Sequence, residues 1–179
     1  LDKLHTTAES HHRVMVLEVM GRYAGWIALI SSVAGGADVI LIPEIPWTVQ
    51  GVAEKILERK AQGKHFSIVV VAEGARLPDG QHVIRARIED SHEAIRLGGI
   101  GEQVGRIIEE ETGVETRATV LGHIQRGGSP SPFDRVLATR LGVAAAERAI
   151  AGEWGVMVSL HGGEIRAIPY DQVTPGSSN

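Results

Sequence analysis

The sequence contains no cysteine. That excludes disulfides, thiolate catalysis and cysteine-ligated zinc, and it fits a reducing compartment, so a cytoplasmic location is expected. Aromatic side chains are scarce, with three Trp, two Tyr and two Phe. No apolar run approaches the ~20 residues of a membrane helix. Leu1 opens a polar, charged stretch without the apolar segment of a signal peptide, and the chain is expected to begin inside something longer. Charge of one sign is also lacking. Eighteen basic against 22 acidic residues leave a net charge of -4, so broad attraction to nucleic acid or anionic lipid is excluded and any anion site must be local.

Glycine is what the sequence has in excess: 22 among 179 residues, about 12% against a usual ~7%. Such a chain makes many tight turns and close backbone approaches. Its length suits one domain able to bury roughly 70% of its unfolded surface. Val14 to Val19, Asp38 to Ile42, Ser67 to Ala72 and Thr116 to Leu121 are short β-branched or apolar runs bounded by Gly, Pro or charge, and read as strands.

Val49, Val52, Ala53, Ile56 and Leu57 trace one helical face over Val49 to Ala61. Tyr23 to Ala34 is apolar nearly all round and predicts a helix buried between layers, stopped by Gly35-Gly36. A further stripe from Ile100 through Val104, Ile107 and Ile108 ends at Gly113. Ser131, Pro132 and Asp134 announce a helix running to about Ile150. Met157 to Leu160 and Glu164 to Ile168 flank His161-Gly162-Gly163 as a hairpin at the sheet's rim. Alternating strands and helices predict a parallel sheet covered on both faces. No linker divides the chain, which reads as a single domain from 1 to 179 with a disordered tail over Thr174 to Asn179.

Ligands in open parallel sheets bind beyond the carboxyl ends of the strands. Three of those ends carry glycine beside a polar side chain: Met20-Gly21-Arg22, Glu73-Gly74, and Gly122-His123 followed by Gln125-Arg126-Gly127-Gly128. Glycine admits a ligand to the backbone, arginine suits phosphate oxygens and a carboxylate accepts hydrogen bonds from sugar hydroxyls, so together they point to a phosphorylated polyol. Taken singly, each has a plainer reading. Arg22 is a salt-bridge partner, Glu73 is solvated, His123 is a turn histidine and Gly127-Gly128 is a turn.

Other signatures fail. Gly63-Lys64 is followed by His65, so there is no phosphate-binding P-loop, and Gly99, Gly101 and Gly105 lack dinucleotide spacing. His92-Glu93-Ala94-Ile95-Arg96 has Arg96 where a zinc protease needs histidine, and Gly127-Gly128-Ser129-Pro130-Ser131 is no nucleophile elbow. His5, His11 and His12 could bind a stray metal, but they read first as a solvated polar lead-in to the first strand.

The stretches SHHRVMVLEVMGRYAGW (Ser10 to Trp26) and ETRATVLGHIQRGGSPSPFDRVLATR (Glu115 to Arg140) resemble the phosphofructokinase family, and the likeness covers about Leu1 to Ile168. Its most specific motifs are MGR-x-AGW and LGHIQRGG. The resemblance implies an α/β, three-layer, mostly parallel sheet with helices on both faces, Rossmann-like and present here as a fragment. It implies phosphoryl transfer from ATP, or in some members pyrophosphate, to the 1-hydroxyl of fructose 6-phosphate in glycolysis, with magnesium. By that resemblance Met20, Gly21 and Arg22 contact the sugar, with Arg22 steadying the transferring phosphoryl, and Glu73 holds sugar hydroxyls. Arg13, Arg117, His123 and Arg126 bind fructose 6-phosphate, and Arg13 also stabilises the transition state. Asp38 and Lys64 fall where allosteric members bind a nucleotide effector.

Arg13 opens the first strand and Met20 closes it, about 23 Å apart at 3.3 Å per residue. Arg117 and His123 stand about 20 Å apart by the same rise. One sugar phosphate spans neither distance, so Arg13 and Arg117 are expected to serve a site in a neighbouring subunit. A homo-oligomer follows, in this family usually a tetramer. The family's donor site and its T-I-D-N-D segment have no counterpart in these 179 residues, so the stretch alone is expected to lack kinase activity, and the choice between ATP and pyrophosphate is not encoded here. The alternative is a non-catalytic sugar-phosphate-binding regulatory module.

Overall fold

The computed structural model describes residues 1–87 and 95–173. The described residues fall into two compact units, Leu1–Arg126 and Gly127–Asn179. The boundary lies in the Gly-Gly-Ser-Pro stretch that the sequence shows only as a strand-end loop, without the length of a linker. The expected tail at Thr174 to Asn179 and the His92-Glu93-Ala94 stretch lie outside the described residues.

The first unit is built on four parallel strands, β1 (Val14–Val19), β2 (Val39–Leu41), β3 (Ser67–Ala72) and β6 (Thr116–Val120), in the order β2-β3-β1-β6. β1 and β3 are buried along their whole length, which is why both read as continuous apolar runs rather than as alternation. Helices cover both faces, giving the three layers expected from the sequence. On one face Val14, Val16, Val69 and Val71 pack with Val52 and Ile56 of α3 (Val49–Ala61) and with Ile100, Val104 and Ile108 of α4 (Ile100–Thr112). On the other, Met15, Leu17, Val19, Ile68 and Val70 pack with Ala8 of α1 (Asp2–His11) and Ala28 of α2 (Trp26–Gly35). A short antiparallel pair, β4 (Ile84–Arg87) and β5 (Ile95–Leu97), completes this unit.

In the second unit Ser131 and Asp134 form a reciprocal capping box at the start of α5 (Pro132–Ile150), with Pro132 at the first helical position. β7 (Val156–His161) and β8 (Glu164–Pro169) pair antiparallel through Gly162 and Gly163. Both glycines have positive φ, 57° and 89°, as a tight two-residue hairpin turn requires. The hairpin is a two-stranded sheet of its own, not a rim of the larger one.

Two expectations change. The polar lead-in is helical: Leu1, Leu4 and Ala8 supply a narrow apolar stripe too short to stand out from the histidines and charges around it. The apolar helix after β1 is not buried between layers. It starts at Trp26, and only Ala28 and Ser32 are buried, because the sheet accepts the small-residue side of the helix and leaves the bulky side in solvent.

Candidate functional site

Because β1 pairs in register with β3 (Val19 opposite Ala72) and with β6 (Glu18 opposite Val120), the three glycine-bearing strand ends are neighbours at one edge of the sheet. Hydrogen bonds tie them together. The Met20 N–H donates to the Gln125 side chain (Oε1, 2.7 Å), the Gly21 N–H to Glu73 Oε1 (3.4 Å), and the Gly74 N–H to the Gly21 carbonyl (2.9 Å). Gly21 sits at φ 146°, and a Cβ on Gly74 would overlap the Arg22 carbonyl, so both glycines are demanded by the junction. After β6 a 3-10 turn over Gly122–Arg126 carries His123 and Arg126 into solvent, while Met20, Gly21, Arg22 and Glu73 are half-buried. Arg22 lies over the Tyr23 ring, 5.4 Å from its centroid.

The helix amino ends next to this edge are already occupied. Glu18, 2% exposed, accepts hydrogen bonds from the Gly99 and Gly101 N–H groups (3.1 and 2.8 Å) at the start of α4, and Glu44 accepts from the Gly25 N–H (2.8 Å) at the start of α2. These carboxylates take the place an anion would occupy at a helix dipole. The side chains at this edge suited to meet an anion are those of Arg22, His123 and Arg126.

Arg13 and Arg117 lie at the opposite edge, as the strand lengths require. Glu115 bridges them: Arg13 Nε donates to its Oε2 at 2.8 Å and the Arg117 guanidinium to its Oε1. The Arg13 hydrogen bond, with the charges of both guanidinium groups, holds the Glu115 carboxyl below its ordinary pKa. Met15 pairs with Arg117 across β6, so both arginines share the sheet face that α1 and α2 cover.

Asp38 and Lys64 border different cavities, and both bond to Arg59, Lys64 through its backbone N–H. Asp38 pairs with Arg59 at 2.9 Å and accepts the Ile68 N–H at 2.8 Å. It borders a cavity of about 420 Å³ beside Trp47 and Lys55, whereas Lys64 lines another of about 210 Å³ with His12, Lys60 and His65. Sequence reasoning gave no role to Gln125, although it lies inside the LGHIQRGG motif, and none to Glu18 and Glu44. An acidic residue inside an apolar strand, as Glu18 is in β1, was the signal for a buried cap.

Comparison with known proteins supplies an independent view. A family model described as phosphofructokinase matches residues 1–149. The chain is 58% identical over 169 residues to an ATP-dependent 6-phosphofructokinase of Chloroflexus aggregans, covering 94% of this chain and 46% of that protein. It is 52% identical over 174 residues to a pyrophosphate–fructose 6-phosphate 1-phosphotransferase of Streptomyces coelicolor, covering 97% and 51%. The fold superposes on the structure of phosphofructokinase from Saccharomyces cerevisiae with a TM-score of 0.79 at 31% identity, over 96% of this chain and 22% of that one. The chain spans about half the length of the curated relatives it matches.

Proposed function

Because this chain belongs to the phosphofructokinase family, we propose that it is the acceptor-binding half of a 6-phosphofructokinase, which transfers phosphoryl from ATP or pyrophosphate to the 1-hydroxyl of fructose 6-phosphate. One observation carries the reading: the three strand ends interlock through Met20, Gly21, Glu73 and Gln125 at a single edge. In this reading Glu73 accepts hydrogen bonds from sugar hydroxyls with the oxygen that the Gly21 N–H leaves free, while Arg22 steadies the transferring phosphoryl. His123 and Arg126 take the substrate phosphate together with Arg13 and Arg117 of a neighbouring copy in a homo-oligomer. Arg–phosphate contacts are charge-assisted and directional, which suits a phosphate held without a helix dipole.

Among the described residues no three His, Asp or Glu side chains are grouped to hold a metal ion. Magnesium, which binds through one or two carboxylates plus substrate phosphates, belongs in this reading to the complete enzyme with its donor, and no step here is routed through it. None of the described helices is long and apolar enough to cross a membrane.

Titration calorimetry of the 179-residue chain with fructose 6-phosphate tests the proposal. Heat of binding without phosphoryl transfer is expected when ATP or pyrophosphate is added. His123→Ala and Arg126→Ala should each weaken binding by about 1.5 to 3 kcal/mol. Binding unaffected by either change would refute the site.

A further inference from the structure

In a 3-10 turn, residues three apart stand one above the other. Within Gly122–Arg126 that places His123 and Arg126 on one side of the turn, and both are exposed. Gln125 falls off that line and is half-buried, with its Oε1 accepting the Met20 N–H at 2.7 Å.

This bond stands where a rung of the β1–β6 ladder would otherwise be. Parallel neighbours bond through alternate residues of a strand, and on the β6 side of β1 the series runs from Glu18, whose carbonyl accepts the Leu121 N–H at 3.1 Å, to Met20. The carbonyl next in line, that of Leu121, is drawn into the turn, where it accepts the Ile124 N–H at 3.2 Å. β6 therefore leaves the sheet one rung early, and the Gln125 amide oxygen fills the gap.

So short a turn is weakly held by its own hydrogen bonds, whose geometry is poorer than in an α-helix. A bond from outside fixes its rotation, and with it the direction of His123 and Arg126. Met20 in turn opens the Met20-Gly21-Arg22 segment, whose Gly21 N–H donates to Glu73. One side-chain amide thus sets the His123 and Arg126 pair at a fixed offset from the segment beside Glu73. Glutamate would offer the same acceptor at the same reach, but it would set a negative charge beside groups suited to an anion.

We propose that Gln125 is a positioning residue: through the Met20 N–H it holds the turn so that His123 and Arg126 face the same phosphate, without itself touching the substrate. The role rests on the sugar-phosphate reading of this edge.

Gln125→Leu keeps the bulk and removes the acceptor, while Gln125→Asn keeps the amide and falls one methylene short. Each should bind fructose 6-phosphate about three- to tenfold more weakly in titration calorimetry, the size of one lost hydrogen bond, with circular dichroism unchanged. Should Gln125→Leu fail to fold, Gln125→Asn carries the test. By NMR the Met20 amide should exchange faster in both. At saturating fructose 6-phosphate the shift produced at the His123 ring should shrink while that at the Glu73 carboxyl carbon is kept, a selectivity that a loss of stability alone would not produce. Combined with Arg126→Ala, either change should cost less than the product of the two single losses, because it acts through the pair.

Unaltered affinity in both variants, equal loss of the ligand shift at His123 and Glu73, or a full product with Arg126→Ala overturns the role of Gln125 and leaves the sugar-phosphate reading standing. An unmodified chain that never binds fructose 6-phosphate refutes that reading and the role together.

Discussion

Gly74 has no positive φ to accommodate, yet it tolerates no side chain, because the Arg22 carbonyl occupies the space where a Cβ would go. Gly74→Ala should therefore push β1 and β3 apart at their tips and lower stability by about 1 to 3 kcal/mol in denaturant titration, a cost of overpacking rather than of backbone strain. Glu18 shows the reverse case, a side chain that cannot be removed. Its carboxylate satisfies the Gly99 and Gly101 N–H groups inside the core, and Glu18→Ala should cost about 3 kcal/mol through the orphaned donors and the void left behind. Glu115 supplies a pH-dependent contact. Its carboxyl pKa is lowered in the fold, first by the Arg13 hydrogen bond. A lowered acid pKa stabilises the fold above the unfolded value and loses that contribution as pH falls through the folded value. The Arg13–Glu115–Arg117 bridge should thus hold at neutral pH and open only below the ordinary carboxylate range near pH 4. NMR titration of the Glu115 carboxyl carbon should place its midpoint below that of an unstructured glutamate.

Among the elements, α3 and α4 were legible because an apolar stripe one side wide repeats over three turns, and Gly113 stops α4 in the left-handed conformation that glycine favours. α5 was legible from its first four residues alone. Its capping box is local chemistry, so Ser131→Ala should remove about 1 kcal/mol from this helix, seen as faster hydrogen exchange of the Asp134 amide, which the Ser131 side chain accepts from. α1 was illegible because it gives the core only Leu4 and Ala8 among eight polar residues, with Leu1 just before it. β4 and β5 were illegible because neither carries a turn signal or an alternation that spans more than a few residues. The burial of α2 was misjudged for a definite reason: periodicity separates an apolar helix from a polar one, but not a helix covered on all sides from one whose outer side is exposed.

For the molecule as a whole, the four-stranded sheet was readable almost residue by residue, since parallel buried strands are short unbroken runs of Val, Ile and Ala between punctuating glycines. The strand-end cluster was expected from the glycines and polar side chains at three carboxyl ends, and the order β2-β3-β1-β6, which was not read from the sequence, sets those ends side by side. What could not be read was the division of labour within the cluster. Gln125, not a charged residue, fastens the 3-10 turn to β1, and Glu44 reaches α2 from a loop nineteen residues away in sequence.

The acidic stoppers on both helix ends leave substrate capture to groups that stand in water, and His123 and Arg126 are among the exposed residues. Attraction of that kind is screened once the Debye length contracts from ~10 Å in 0.1 M salt to ~3 Å in 1 M. Under the proposed function, fructose 6-phosphate should be held tightly in dilute buffer and shed in concentrated potassium chloride, so ionic strength alone would work as a release lever for this ledge.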